Sequence, residues 1–441
     1  MRYDKCGVIF LILYLQMKGK KIYIVGIGGI GLSALAQLFL HEGAEVTGSD
    51  RAEQPTTKML MTKGINVFIG HDATHVPEDA SMLVYSDAIP SDSPERIRGR
   101  ELGIPELNYF EALGNMAEGK QVVAISGTNG KTTTTAMLGK ILVDAGVDPT
   151  VVVGSIVSEW KSNFRAGKSN LFVVEACEYR RHFLSFHPHI LVITNIEFDH
   201  TDYFKDLADV VHAFTESAEG VTEGGVIVTN MRLPNVTKAL SEITTKTVDY
   251  SRALVPELLL PGEFNQENAK AAKAAAKVIA PQLTDDGIDA SLASFAGTWR
   301  RFECKGVLPG GALLYDDYAH HPTAITKTIV AAKEKFNGKK IIVFFHPHLY
   351  SRTRDLFDDF AMALALADET YILPVYAARE EHDESVSNEA LAEATNKNGG
   401  KASAVSGMEE TTKKLRTFGP DTVAFTMGAG DVYRAGEAAL K

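Results

Sequence analysis

The stretch Gln121-Val122-Val123-Ala124-Ile125-Ser126-Gly127-Thr128-Asn129-Gly130-Lys131-Thr132 reads as a strand that ends in a glycine-rich turn. A run of threonines, Thr132 to Thr135, then opens a helix. The turn departs from the general G-x-x-x-x-G-K-[ST] phosphate loop, because Ile125 stands where the first glycine would be. Its physical parts are still complete. Backbone N–H groups of Gly127, Thr128, Asn129 and Gly130, and of Thr133 in the first helical turn, can cradle phosphates at a helix N-terminus. Lys131 can reach the β- and γ-phosphates of a nucleotide, and the Thr132 hydroxyl can bind Mg²⁺.

Outward from this turn the same grammar repeats. An earlier block opens with a strand, Lys21 to Val25, then Gly26-Ile27-Gly28-Gly29-Ile30-Gly31, then a helical stretch through Phe39. The glycines allow close approach to a pyrophosphate, and Asp50 ends the second strand about 20 residues on, where a dinucleotide site carries its ribose-binding acid. From this loop alone the ligand is open between a nicotinamide dinucleotide and a UDP-sugar. The central block adds strands at Leu171 to Val174 and Ile190 to Thr194 and an Ala-rich helix from Asn268 to Ile279. A third block has strands at Ala312 to Tyr315, Ile341 to Phe345, Glu369 to Leu373 and Thr422 to Thr426. Alternating strands and helices argue for an α/β fold with parallel sheets covered on both faces. Three domains are expected: a Rossmann-like one over 17–116, a P-loop ATPase-like one over 117–298 and a second Rossmann-like one over 299–441. At about 150 residues per domain the length agrees.

Bulk properties narrow the partners. The 441 residues carry a net charge of −11, with 45% hydrophobic and 23% charged. No basic run is present, which argues against nucleic acid. The three cysteines, Cys6, Cys177 and Cys304, form no CxxC pair. Neither a disulfide framework nor a zinc site is indicated, and a reduced cytoplasm is the simple reading. Residues Cys6 to Leu15 are apolar behind Arg2 and Lys5 but too short to span a bilayer, and no small-residue cleavage site follows. The expectation is an extension over 1–16 with Met17 as the working start, and no membrane segment elsewhere.

The second glycine loop with its threonine run resembles the Mur ligases, which build peptidoglycan precursors, and further motifs agree from Lys20 nearly to the end. Gly26 to Gly31, Gly48-Ser49-Asp50, Gly70-His71 and Ser86-Asp87-Ala88-Ile89-Pro90 look like the family's UDP-sugar loops. Thr194-Asn195-Ile196-Glu197 with Asp199-His200 is similar to its central Mg²⁺ motif. Asp316-Asp317-Tyr318-Ala319-His320-His321-Pro322, His346-Pro347-His348 through Arg352-Thr353-Arg354, and Met427-Gly428-Ala429-Gly430-Asp431 resemble its C-terminal signatures. These signatures are closest to the member that adds the first amino acid. The resemblance therefore implies UDP-N-acetylmuramic acid and L-alanine as substrates, ATP and Mg²⁺ as cofactors, an acyl phosphate on the way to an amide, and a monomer or weak homodimer.

It also implies roles residue by residue. Thr132, Glu175 and His200 would hold metal. Asn265, Asn268, Arg301 and Asp317 would serve the nucleotide. Gly28, Gly29, Ile30, Asp50, His71 and Ser86 would hold the UDP-sugar. Tyr318, His320, Arg352 and Arg354 would meet the acid and amine substrates, and Lys131, His200, His320, Arg352 and Arg354 would be catalytic. Taken singly, Glu175 is an ordinary strand-end acid, His200 a packing histidine, Asn265 and Asn268 helix caps, and Arg354 an ion-paired surface residue beside Asp355.

The pattern departs from the family at several points. Phe264 stands where histidine is usual, Leu349 where arginine is usual, and the loop Val375 to Glu380, including Arg379, lacks a glycine. Residues 248–261 are short for the small β subdomain of relatives, and Cys177 varies the acidic motif Glu175 to Tyr179. Three other activities compete: a recycling ligase that adds a tripeptide to the same sugar, a nicotinamide-dependent dehydrogenase built on Gly26 to Asp50, and a P-loop kinase or ATPase.

Overall fold

The computed structural model describes residues 17–378 and 380–441. The expected extension at 1–16 and the departure at Arg379 lie outside the described residues. Three sheets follow one another along the chain. The first contains β1 (Lys21–Val25), β2 (Glu45–Asp50), β3 (Asn66–Ile69), β4 (Met82–Tyr85) and β5 (Glu106–Asn108), in the order β3-β2-β1-β4-β5, all parallel. The second contains β6 (Gln121–Ser126), β7 (Thr150–Val157), β8 (Ser162–Arg165), β9 (Leu171–Glu175), β10 (Ile190–Ile193), β11 (Val226–Thr229) and β12 (Lys246–Asp249), in the order β12-β11-β10-β6-β9-β7-β8. The third contains β13 (Glu303–Val307), β14 (Leu313–Asp317), β15 (Lys340–Phe345), β16 (Glu369–Ile372), β17 (Ala402–Ala404) and β18 (Thr422–Met427), in the order β13-β14-β18-β15-β16-β17.

The expected α/β architecture with three sheets is present, and the central strands are continuous apolar runs because helices cover both faces. Val122 to Ile125 on β6 and Ile341 to Phe345 on β15 are all buried. Two edges are antiparallel instead: β8 against β7 and β13 against β14. The β8 edge is not free. Asn163 donates to Ser33 Oγ at 2.9 Å, Ser162 donates to Gln37 Oε1 at 2.9 Å, and Gln37 donates to Asn163 Oδ1 at 2.9 Å. Ser33 and Gln37 lie on the helix Ile30–His41 of the first sheet, so a buried polar lock docks that helix on the central sheet.

The Ala-rich helix begins earlier than its composition suggests, at Glu263 rather than Asn268, with Gly262 as its N-cap. Asn265 and Asn268 therefore lie inside the helix and are buried, not ahead of it as caps. Residues 250–262 form no strand. Phe264 packs against the core of the third sheet, and Leu349 is buried in a left-handed conformation (φ +72°) ahead of the helix Tyr350–Asp355.

Candidate active site

The parallel strands of the central sheet aim their carboxyl ends at one cleft, and β6 delivers the glycine loop there. Gly127 (φ +131°) and Gly130 (φ +87°) take positive φ, and a Cβ on Gly130 would run into Asn268 Oδ1. The loop is braced from the segment after β10. Asn129 N–H donates to Asn195 Oδ1 at 2.9 Å, Thr194 Oγ1 donates to the Asn129 carbonyl at 2.6 Å, and Asn129 Nδ2 donates to Glu197 Oε2 at 3.2 Å.

Lys131 opens the helix Lys131–Asp144, and its ammonium folds back over the loop. It donates to the Gly127 carbonyl at 2.5 Å and to Glu178 Oε2 at 2.8 Å. Burial opposes the charges of both Lys131 and Glu178. Their mutual attraction wins, raising the lysine and lowering the acid from their ordinary values. Beside this pair, Thr132 Oγ1 donates to Glu175 Oε1 at 2.9 Å, and the Gly154 N–H donates to Glu175 Oε2 at 2.6 Å. The strand-end acid is thus held against the phosphate loop.

His200 takes φ +55° and places Nε2 3.6 Å from Glu178 Oε1. Burial would lower its basicity, but Asp199, Cys177 and Glu178 reverse this and raise the imidazole to about 10. An imidazolium has no lone pair for a metal, so in this arrangement His200 is a cation between two acids. It could ligate an ion only after losing that proton.

The third sheet supplies the opposite wall. Arg301 NH2 donates to Thr132 Oγ1 at 3.4 Å. Asp317, at the end of β14, accepts from the Phe302 N–H at 2.8 Å and the Ala319 N–H at 2.7 Å. Burial raises its carboxyl to about 6 against the pull of Arg301. A cavity of 460 Å³ runs between the glycine loop, Asn265, Asn268, Arg301 and Asp317. Arg352 donates from Nε to Asp199 Oδ1 at 3.0 Å, both buried, and so joins the third sheet to the His200 segment. His320 lies beside them. Its Nδ1 is 2.9 Å from the Tyr318 carbonyl and so carries the proton, leaving Nε2 as the acceptor. Burial and the Arg352 charge hold it well below the usual histidine range. Arg354 behaves differently: it is half exposed and pairs with Asp383 at 2.8 Å and Asp355 at 3.1 Å.

At the first sheet, Gly29 caps the helix that Ile30 begins, and the Gly28 N–H donates to Asp50 Oδ2 at 2.9 Å. Asp50 therefore braces its own glycine loop. Ser86 follows β4 next to Gly26, and His71 Nδ1 meets the buried Glu95 at 2.7 Å. Arg51 reaches over the cleft to Tyr376 of the third domain at 3.0 Å, and His182 meets Asp87 at 2.5 Å.

Glu178, Glu197 and Asp199 stand in motifs that the sequence displays, yet their partners Lys131, Asn129 and Arg352 emerge only with the fold.

The description "Mur ligase family, catalytic domain" matches residues 21–121, "Mur ligase middle domain" residues 125–255, and "Mur ligase, glutamate ligase domain" residues 300–430. The UDP-N-acetylmuramate–L-alanine ligase of Clostridium novyi (strain NT) is 37% identical, over 97% of this chain and 99% of its own. That of Clostridium acetobutylicum is 38% identical, over 95% and 97%. The solved structure of the UDP-N-acetylmuramate–alanine ligase from Thermotoga maritima matches with a TM-score of 0.79 at 29% identity, covering 95% of this chain and 97% of that one. A murein peptide ligase from Psychrobacter arcticus shares the fold, with a TM-score of 0.74 at 23% identity over 96% and 98%. Since the matches run in order from residue 21 to residue 430 and leave none of the three sheets outside one family, the chain belongs to the Mur ligases.

Proposed function

We propose that the chain joins L-alanine to the carboxylate of UDP-N-acetylmuramic acid with cleavage of ATP. The observation that carries this reading is one cavity walled by Thr132, Asn268 and the glycine loop on one side and Arg301 and Asp317 on the other. Relatives that bear this activity by name match nearly the whole chain. A carboxylate is a poor electrophile, so its oxygen first attacks the γ-phosphorus and ADP leaves. The amine nitrogen then attacks the acyl carbon of the acyl phosphate, a proton is lost, and inorganic phosphate leaves. The triphosphate, the sugar carboxylate and the acyl phosphate are all anionic, so the protein's work is positioning and charge neutralisation. Lys131 and Arg301 supply positive charge at the phosphates. Arg352 and the neutral His320 are assigned to the acid and amine substrates. Arg354, tied to Asp355 and Asp383, is assigned to holding its own helix end.

Mg²⁺ belongs to this reading. The Thr132 hydroxyl and Glu175 carboxylate are hard oxygen donors in contact, and they would hold an ion that offsets the phosphate charge. Mg²⁺ takes few protein ligands and completes its shell with phosphate and water. We assign the UDP-sugar to 17–116, ATP to 117–298, and the amino acid together with part of the nucleotide to 299–441. A cytoplasmic monomer or weak homodimer without nucleic-acid partners completes the proposal. No helix among the described residues is long and apolar enough to cross a membrane.

The test is phosphate release from ATP with UDP-N-acetylmuramic acid and Mg²⁺, offering L-alanine, L-serine, glycine and the cell-wall tripeptide in turn. Release that depends on L-alanine supports the proposal. Release only with the tripeptide moves the chain to the recycling activity, and silence with every amine refutes ligation.

A further inference from the structure

The chain crosses from the central sheet to the third between Trp299 and Arg300. At Thr298 and Trp299 the backbone pairs with β7. The Trp299 N–H donates to the Ile156 carbonyl at 2.8 Å, and Ser155 Oγ donates to the Trp299 carbonyl at 2.7 Å. From Arg300 onward it belongs to the third sheet, where the Tyr318 N–H donates to the Arg300 carbonyl at 2.7 Å. At the crossing Arg300 takes φ +60°, a left-handed conformation that side chains other than glycine rarely adopt.

The Arg300 side chain fixes this conformation from inside. Its guanidinium is buried and donates through all three nitrogens: Nε to Asp316 Oδ2 at 2.7 Å, NH1 to the Gly430 carbonyl at 3.0 Å and NH2 to the Gly428 carbonyl at 2.6 Å. The other Asp316 oxygen accepts from Thr426 Oγ1 at 2.6 Å. One side chain therefore ties the crossing point to β14, β18 and the loop Gly428 to Asp431. The next residue, Arg301, shares the Tyr318 ring with Arg300, whose guanidinium lies 5.2 Å from the ring centroid. Arg301 lines the nucleotide cavity and touches Thr132, with its guanidinium 5.1 Å over the Tyr318 ring.

We infer that Arg300 is a positioning residue, which locks the crossing point so that Arg301 meets the nucleotide at Thr132 and links nucleotide binding to the Gly428–Asp431 loop. This rests on the nucleotide lying in the cavity proposed above. Lysine cannot substitute, because one ammonium can satisfy Asp316 but cannot also reach two carbonyls as a planar fork does.

The experiment uses the full chain and calorimetric binding of a non-hydrolysable ATP analogue with Mg²⁺, together with KM values for ATP and the UDP-sugar. Arg300→Lys is expected to weaken the analogue about tenfold and to raise KM for ATP alike, with KM for the UDP-sugar changed by less than about twofold. In an Arg301→Ala background the same substitution should add less than about twofold, since the arm it positions is gone. Wild-type affinity in Arg300→Lys, or losses that multiply in the double variant, would overturn the inference. Should Arg300→Lys not fold, Asp316→Asn keeps an acceptor for Nε–H and weakens the clamp. Its smaller loss should also vanish without Arg301, and a loss that persists there overturns the inference. Binding needs no turnover. The expected pattern with no amine-dependent phosphate release would refute the ligase reading and leave the inference standing, and the converse result would do the opposite.

Discussion

Lys131 and Glu178 form a nearly buried ion pair at 2.8 Å, with 13% and 2% of their side chains exposed. The carboxylate keeps the ammonium charged inside the phosphate loop before any nucleotide arrives. Lys131→Ala removes the charge that would meet the β- and γ-phosphates. Amine-dependent phosphate release should be abolished, while UDP-sugar binding changes by less than about twofold, because the two sites lie on different sheets. Breaking an isolated buried pair costs about 3–5 kcal/mol, and His200 beside the same carboxylate should keep the loss in urea unfolding below that. Near-normal turnover in this variant would remove the loop from the reaction.

Gly130 offers a separate handle on the same loop. Its left-handed backbone alone costs a residue with a Cβ about 1 kcal/mol. The added methyl would also displace Asn268 Oδ1, one wall of the cavity proposed to take the nucleotide. Gly130→Ala should therefore abolish binding of an ATP analogue by calorimetry and spare UDP-sugar binding. Retained nucleotide affinity would show that Asn268 does not contact the base or ribose.

The strand, turn and helix from Gln121 to Asp144 were legible because each depends on residues a few positions apart. Contacts made at long range were not. Nothing near Glu178 in the chain marks it as the partner of Lys131, and nothing near Asp199 marks it as the partner of Arg352, a residue of another sheet. The antiparallel edges β8 and β13 escaped because they are short and mixed in character, Ser162–Arg165 and Glu303–Val307. β8 is held by Ser33 and Gln37, residues that read as ordinary helix positions. Taken singly, apart from the nucleotide role that the resemblance implies, Asn265 and Asn268 read as caps, because asparagine favours that place. Gly262 takes the cap instead, and both amides turn inward, Asn265 to the Pro261 carbonyl at 2.7 Å and Asn268 beside Thr134.

Asp317 predicts a pH dependence of the ligand-free protein. Burial raises its carboxyl from 3.8 to about 6. A raised folded value means the neutral form suits the fold. The stability it contributes is complete below the unfolded value of 3.8 and is lost as pH rises through about 6. Full titration across that gap is worth about 3 kcal/mol. Urea unfolding of the wild type should therefore carry a component that falls between pH 4 and 7, and Asp317→Asn should lack it. Identical slopes in the two proteins would show that Asp317 is not held neutral.

Arg352 and Arg354 are two residues apart on one short helix, yet the fold treats them oppositely. Arg352 is 4% exposed and neutralises Asp199, also buried, across the cleft. Arg354 is 52% exposed and pairs with Asp383 and Asp355. Arg352→Ala leaves the buried Asp199 carboxylate with His200 as its nearest remaining cation. It should lower stability by less than the ~3–5 kcal/mol of an isolated buried pair and reduce turnover by about 100-fold or more. Arg354→Ala loses only an exposed pair, with at most about 1 kcal/mol of stability and less than about a threefold change in kcat. The decisive measurement is KM for L-alanine in the two variants at saturating ATP and UDP-sugar. A large rise in Arg354→Ala would mean that this guanidinium leaves Asp383 to grip the amino acid, and the holding role assigned to it would fall.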